Sequence, residues 1–69
     1  MTKFEYCIYT HALILKNGSV YLPNSDTIDI SDETMMKVIN DLGKEEWELV
    51  SVINLENIES FHFKRALKE

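Results

Sequence analysis

The sequence predicts a small α+β domain: a small antiparallel sheet of three to four strands, one amphipathic helix packed on one of its faces, in the order β-β-α-β-β. Three observations carry this. Residues 3–15 alternate, with Phe4, Tyr6, Ile8, Ala12 and Ile14 on one parity, the period-two signature of a strand. An Asn17-Gly18 step lies between apolar runs and reads as a hairpin turn, because that pair readily takes the positive φ angles of a type I′ turn. Met35, Val38, Ile39 and Leu42 then recur at helical spacing.

The elements follow in order. Val20, Tyr21 and Leu22 return alongside the first strand, and Pro23, with no N–H to donate, ends their pairing. Residues 24–30, NSDTIDI, read as a polar loop leading to the helix. Ser31 is a suitable N-cap, with Asp32 and Glu33 in the first turn, where the helix dipole favours acids. Ile30 and Met35 have the spacing of a hydrophobic staple. Gly43 fits the position just past the helix end. Lys44–Glu46 turn the corner, Trp47 opens a strand running to about Leu55, and residues 60–67, SFHFKRAL, form the last strand. That strand is expected between the first strand and the tryptophan strand, antiparallel to both. Trp47, at the junction of helix and strand, is expected to plug the end of the core, since a large ring buries much area in a domain with little to spare.

Size and charge exclude several functions. Sixty-nine residues make one domain, 1–69. A chain this short buries only about 60% of its unfolded surface, so a disulfide, a metal or a partner subunit is the usual support. Cys7 is the sole cysteine, which removes the disulfide within one chain and points to a reducing, cytoplasmic setting. Twelve acidic against seven basic residues give a net charge of −5, the wrong sign for a nucleic-acid partner. The apolar N-terminal stretch is interrupted by Glu5 and His11 and is too short to span a membrane.

Catalytic and metal-binding patterns are not met. Cys7 and His11 share a strand face but lie about 13 Å apart along it, too far for one ion. No Cys-x-x-Cys or His-x-x-x-His spacing occurs. Asp26, Asp29 and Asp32 recur every third residue, without the alternate spacing, glycine and terminal glutamate of an EF-hand loop. Cys7, mid-strand among aromatics in an acidic chain, lacks the electropositive setting of a nucleophile. The two glycines sit in separate turns, so no phosphate loop forms. The expectation is a non-enzymatic protein with no cofactor and no metal.

One stretch resembles a known family. Leu42, Gly43, Trp47, Glu48, Leu49, Val50, Ser51 and Val52, closed by Phe63, Lys64, Arg65 and Leu67, are similar to the recurring core of domain-of-unknown-function family 4177, small bacterial and phage proteins. The resemblance implies the same small fold and says little about activity. The chain departs from the pattern at Glu46, where a glycine usually precedes the tryptophan, and at Ala66, where a proline is common.

The functional expectation comes from the sheet's second face. One three-turn helix covers one face, yet the second parity is also apolar. Cys7, Tyr9 and Leu13 on the first strand, with Val50 and Val52 on the tryptophan strand, are the candidate interface of a homo-oligomer, a dimer or higher. The competing readings are that residues 23–30 fold across that face, or that a bulge resets the strand's parity. The function expected is an oligomeric protein-interaction or regulatory module. The alternative is a bacterial or phage protein that sequesters a small molecule in pockets at subunit interfaces, with Lys64 and Arg65 as anion contacts.

Overall fold

Five strands and one helix make up the computed structural model, which describes residues 2–31 and 34–67. The strands are β1 (Phe4–Ala12), β2 (Asn17–Tyr21), β3 (Thr27–Ser31), β4 (Glu48–Leu55) and β5 (Ile58–Ala66), with α1 (Met35–Lys44) between β3 and β4. All neighbours are antiparallel, in the order β3-β2-β1-β5-β4. The α+β class and the placing of the last strand between the first and the tryptophan strand agree with the expectation. The number of strands does not: there are five, in the order β-β-β-α-β-β.

The additional strand is the segment expected as a loop. Its residues alternate Thr27, Ile28, Asp29, Ile30, Ser31, so the isoleucines share one face. A turn over Pro23–Ser25 returns the chain, closed by Leu22 N–H to the Asp26 carbonyl at 2.9 Å and by Asn24 Nδ2 to Asp26 Oδ2 at 2.8 Å. The segment therefore extends the sheet at its edge instead of folding across the second face.

The first hairpin also turns earlier than Asn-Gly suggests. Residues 13–16 make the turn, Lys16 N–H bonding the Ala12 carbonyl at 3.0 Å with Lys16 at φ 52°. Gly18 lies inside β2 opposite His11. Its need is space: a Cβ there would collide with the Thr10 carbonyl oxygen and come within 2.8 Å of Tyr9 Cε1.

Thr34, not Ser31, caps the helix, its Oγ1 accepting from Lys37 N–H at 3.2 Å. Ser31 closes β3, while Asp32 and Glu33 lie outside the described residues. The C-terminus is a Schellman motif built on Glu46, which holds φ 71°. Trp47 N–H reaches the Leu42 carbonyl and Glu46 N–H the Gly43 carbonyl, each at 3.0 Å. Gly43 itself is helical, so the left-handed residue is a glutamate. The motif brings Trp47 next to Leu42 and turns the indole inward, where it is 6% exposed. That is the plug the sequence predicts.

Connectivity takes α1 from the β3 edge to the start of β4 at the opposite edge. Under it lie Cys7, Tyr9, Val20, Phe61 and Phe63, together with Val38 of the helix and Trp47. This reverses the expected assignment of β1: Cys7 and Tyr9 are on the covered face, while Phe4 and Tyr6 are exposed. Both parities of β1 are apolar, so β1 alone could not decide. Its partner β5 does, because Phe63 opposes Cys7 and Phe61 opposes Tyr9, and the Tyr9 ring stacks on Phe61 at 5.5 Å.

Candidate functional site: an uncovered sheet surface

The face away from the helix has no covering element among the described residues. Antiparallel pairing puts opposed residues on the same side, and the register assembles this face row by row. Tyr6 and Glu48 flank Lys64, Ile8 and Ser51 flank His62, Thr10 and Ile53 flank Ser60, and Ala12 and Leu55 flank Ile58. Phe4, Tyr6, Tyr21, Ile53, Leu55 and Ile58 of this face are all more than 40% exposed. A shallow depression of about 620 Å³ lies at its β2–β3 side, lined by Thr10, Asn17, Ser19, Tyr21, Asp29 and Ile58 among others. Ser19 Oγ donates to Asp29 Oδ1 there at 3.0 Å.

β4 carries the apolar surface to the edge. A bulge between Leu49 and Ser51 inserts Val50 and resets the parity. Leu49 and Val52 consequently share the helix side with Phe63 and Phe61, while Ile53 and Leu55 take the open side. Val50 and Val52 are exposed, at 48% and 44%. Leu13 is exposed too, in the turn that Leu13 N–H ties to the Asn57 carbonyl at 2.9 Å, beside Leu55 and Ile58. Of the five residues expected at an interface, then, three offer surface. Cys7 and Tyr9, at 1% and 0% exposure, do not, because the core aromatics of β5 draw their parity under the helix.

Lys64 and Arg65 do not converge on one anion. They are neighbours on β5 and so point to opposite faces. Lys64 Nζ lies 4.8 Å from the centre of the Phe4 ring on the open face. Arg65, on the helix face, is a clasp. Its Nε donates to Glu5 Oε1 at 2.8 Å, its Nη1 donates to the Glu45 carbonyl at the helix end at 2.9 Å, and its guanidinium covers Trp47 at 4.1 Å. A cation at a helix C-terminus also meets the negative end of the dipole. A signal for this was present: opposite charges at Glu5 and Arg65 face each other once the first and last strands are paired.

A cleft of about 580 Å³ beside α1 has apolar walls that include Val20, Ile28, Val38 and Trp47. The charged groups at its mouth already serve each other: Lys37 bonds Asp41 at 3.3 Å, and Arg65 is held as described.

The remaining reactive side chains are placed as structural groups. Burial pushes the Cys7 thiol up to about 11, Arg65 pulling it down and Glu5 adding to the rise, so it stays protonated and unreactive at neutral pH. Burial, and secondarily Glu59, raises Tyr9 above its ordinary value. The Tyr9 hydroxyl and His11 Nδ1 are buried without a hydrogen-bond partner, a feature the sequence did not signal. His62 Nε2 lies 3.2 Å from Ser60 Oγ on the open face. Among the described residues no three His, Cys, Asp or Glu side chains gather to hold a metal, and no helix is long and apolar enough to cross a membrane.

Comparison with known proteins returned no matching family, no matching curated protein and no matching solved structure.

Proposed function

We propose that this protein is a non-enzymatic interaction module whose working form is a homo-oligomer assembled through the apolar surface that α1 leaves uncovered. One observation carries the reading: among the described residues, fifteen large apolar side chains are exposed and only seven apolar residues are buried. Isolated exposed apolar residues need no explanation, but contiguous patches beyond a few hundred Å² mark interaction sites. Here Ile53 and Leu55 of β4, Ile58 of β5 and the turn at Leu13–Leu15 gather exposed apolar side chains at one end of the uncovered face. A 69-residue chain short of core also gains the most from a second chain.

A second reading has its own support. The depression beside Ser19 and Asp29 opens on the same face, so an assembled oligomer would enclose polar groups against apolar walls, as small-molecule sites do. The chain would then be a binding protein with its pocket between subunits.

Sedimentation equilibrium of the wild type and of Ile53→Lys tests the first reading. The side chain of Ile53 is 47% exposed, so lysine is tolerated in the single chain and opposes burial in an assembly. The wild type is expected as an oligomer and the variant as a folded, single chain. An unchanged oligomer after Ile53→Lys, or a wild type that is already a single chain, overturns it.

A further inference from the structure

The edge of β4 has the features of a pairing site for itself. β4 is paired on one side only, by β5. Among the described residues, no hydrogen bond from outside the ladder reaches Glu48–Leu55. An edge strand with unmatched backbone groups is a template for another strand, and proteins normally blunt it with charge, proline or a bulge. β3, the opposite edge, is blunted: Asp29 lies within it and Asp26 just before it, both exposed. β4 has its bulge only near its start, at Leu49–Ser51, and carries no charge from Leu49 to Leu55. All eight of its residues are exposed, and its apolar residues occupy both faces: Leu49 and Val52 on the helix side, Ile53 and Leu55 on the open side. A face-to-face contact covers one of these sets. A strand laid along the edge gives each of these residues a cross-strand neighbour, whichever face it lies on.

We infer that β4 pairs with β4 of a second copy, antiparallel about a two-fold axis normal to the sheet, and joins two five-stranded sheets into one of ten. This rests on the self-association proposed above and specifies its geometry. Charge limits where a second copy can approach. Each chain carries −5, so two copies approach most easily where neither presents an acid, and the stretch from Leu49 to Leu55 is such a place.

The register follows from the part of the strand that is regular. A two-fold axis normal to the sheet keeps the open faces on one side, and opposed residues must share a face. The axis therefore lies between one residue and its own copy, so that this residue is the centre of the pairing. Centred on Val52, the pairing would set Asn54 against the bulged Val50 of the other copy. Centred on Ser51, it would set Val52 against Val50 and Ile53 against Leu49, directly across the bulge. Centred on Ile53, it opposes Ser51 with Leu55 and Val52 with Asn54, and so uses the regular stretch of β4 beyond the bulge at Leu49–Ser51.

Cysteine pairing tests this. Directly opposed strand residues lie about 4.5–5.5 Å apart at Cα, within disulfide range, and Cys7 is buried and does not compete. Val52→Cys and Asn54→Cys proteins are mixed under air oxidation, with Ser60→Cys, on the open face of β5, as the reference, and each is sedimented under reducing conditions. The expected result is a Val52–Asn54 disulfide forming at least tenfold faster than the Ser60 homodimer. Fast Ser60 pairing without Val52–Asn54 pairing overturns the edge geometry and leaves self-association standing. Single-chain behaviour of every protein, with no disulfide, overturns both.

Discussion

Arg65 is the residue whose removal should cost most for its exposure. It makes three contacts at the junction of helix, β1 and β5: Glu5 at 2.8 Å, the Glu45 carbonyl at 2.9 Å and the Trp47 ring at 4.1 Å. A hydrogen bond from a charged donor contributes about 1.5–3 kcal/mol and a cation over an aromatic ring roughly 0.5–2 kcal/mol. The ion pair, with side chains 33% and 20% exposed, falls between the small surface value and the larger buried one. The three share one guanidinium and do not add. Arg65→Ala should therefore lose about 2–3 kcal/mol, a large part of the roughly 3–10 kcal/mol that a domain of this length possesses. Arg65→Lys should recover less than half, because an ammonium cannot lie flat on Trp47 while bonding in two directions. Urea titration followed by Trp47 fluorescence measures both, at a concentration where the association state is constant. Glu5→Gln should cost about 1 kcal/mol and lose most of its effect in the Arg65→Ala background. Arg65→Ala within 0.5 kcal/mol of wild type, or equal costs for Ala and Lys, would refute the clasp.

Three further predictions concern the core and the corner. Tyr9→Phe removes a buried hydroxyl that has no hydrogen-bond partner and keeps the ring on Phe61; it should stabilise by about 1 kcal/mol, read as a higher urea midpoint at unchanged slope, and a loss of stability would mean that the hydroxyl is bonded. Glu46 holds φ 71°, so Glu46→Gly should exceed Glu46→Ala by about 1 kcal/mol, a comparison in which both lose the side chain; equal stabilities would remove the left-handed corner. The Cys7 proton is held from 9.0 up to about 11. Below pH 9 the thiol is neutral folded and unfolded. Between about 9 and 11 the unfolded chain ionises first, so stability falls by about 1.4 kcal/mol per pH unit. Tyr9 shifts in the same direction, so the thiol's share is read as the slope that disappears in Cys7→Ala; an identical slope would show an accessible thiol.

Much of this architecture was legible because local signals were unambiguous. The helix was fixed by the spacing of Met35, Val38, Ile39 and Leu42, and the end of the core by a single tryptophan after a helix stop. What escaped had competing signals. Residues 27–31 alternate like a strand, but two aspartates nearby and a preceding proline and asparagine read as loop. Asn17-Gly18 looks like a turn, yet Gly18 is required by the closeness of Thr10 and Tyr9, a tertiary fact with no local trace. The faces of β1 were exchanged because both parities are apolar, and the choice belongs to Phe61 and Phe63 some fifty residues away. The bulge on β4 then moved Ile53 to the open face. Val50, Val52 and Leu13 are exposed, Val52 on the helix side of the sheet, while Cys7 and Tyr9, expected beside them, are buried.

Native mass spectrometry of the wild-type protein tests the central claim most directly. Self-association through the uncovered sheet surface predicts a species of two or more 8.1 kDa chains that persists on dilution and is lost in Ile53→Lys. A wild type found only as a single 8.1 kDa chain at every concentration would contradict the account.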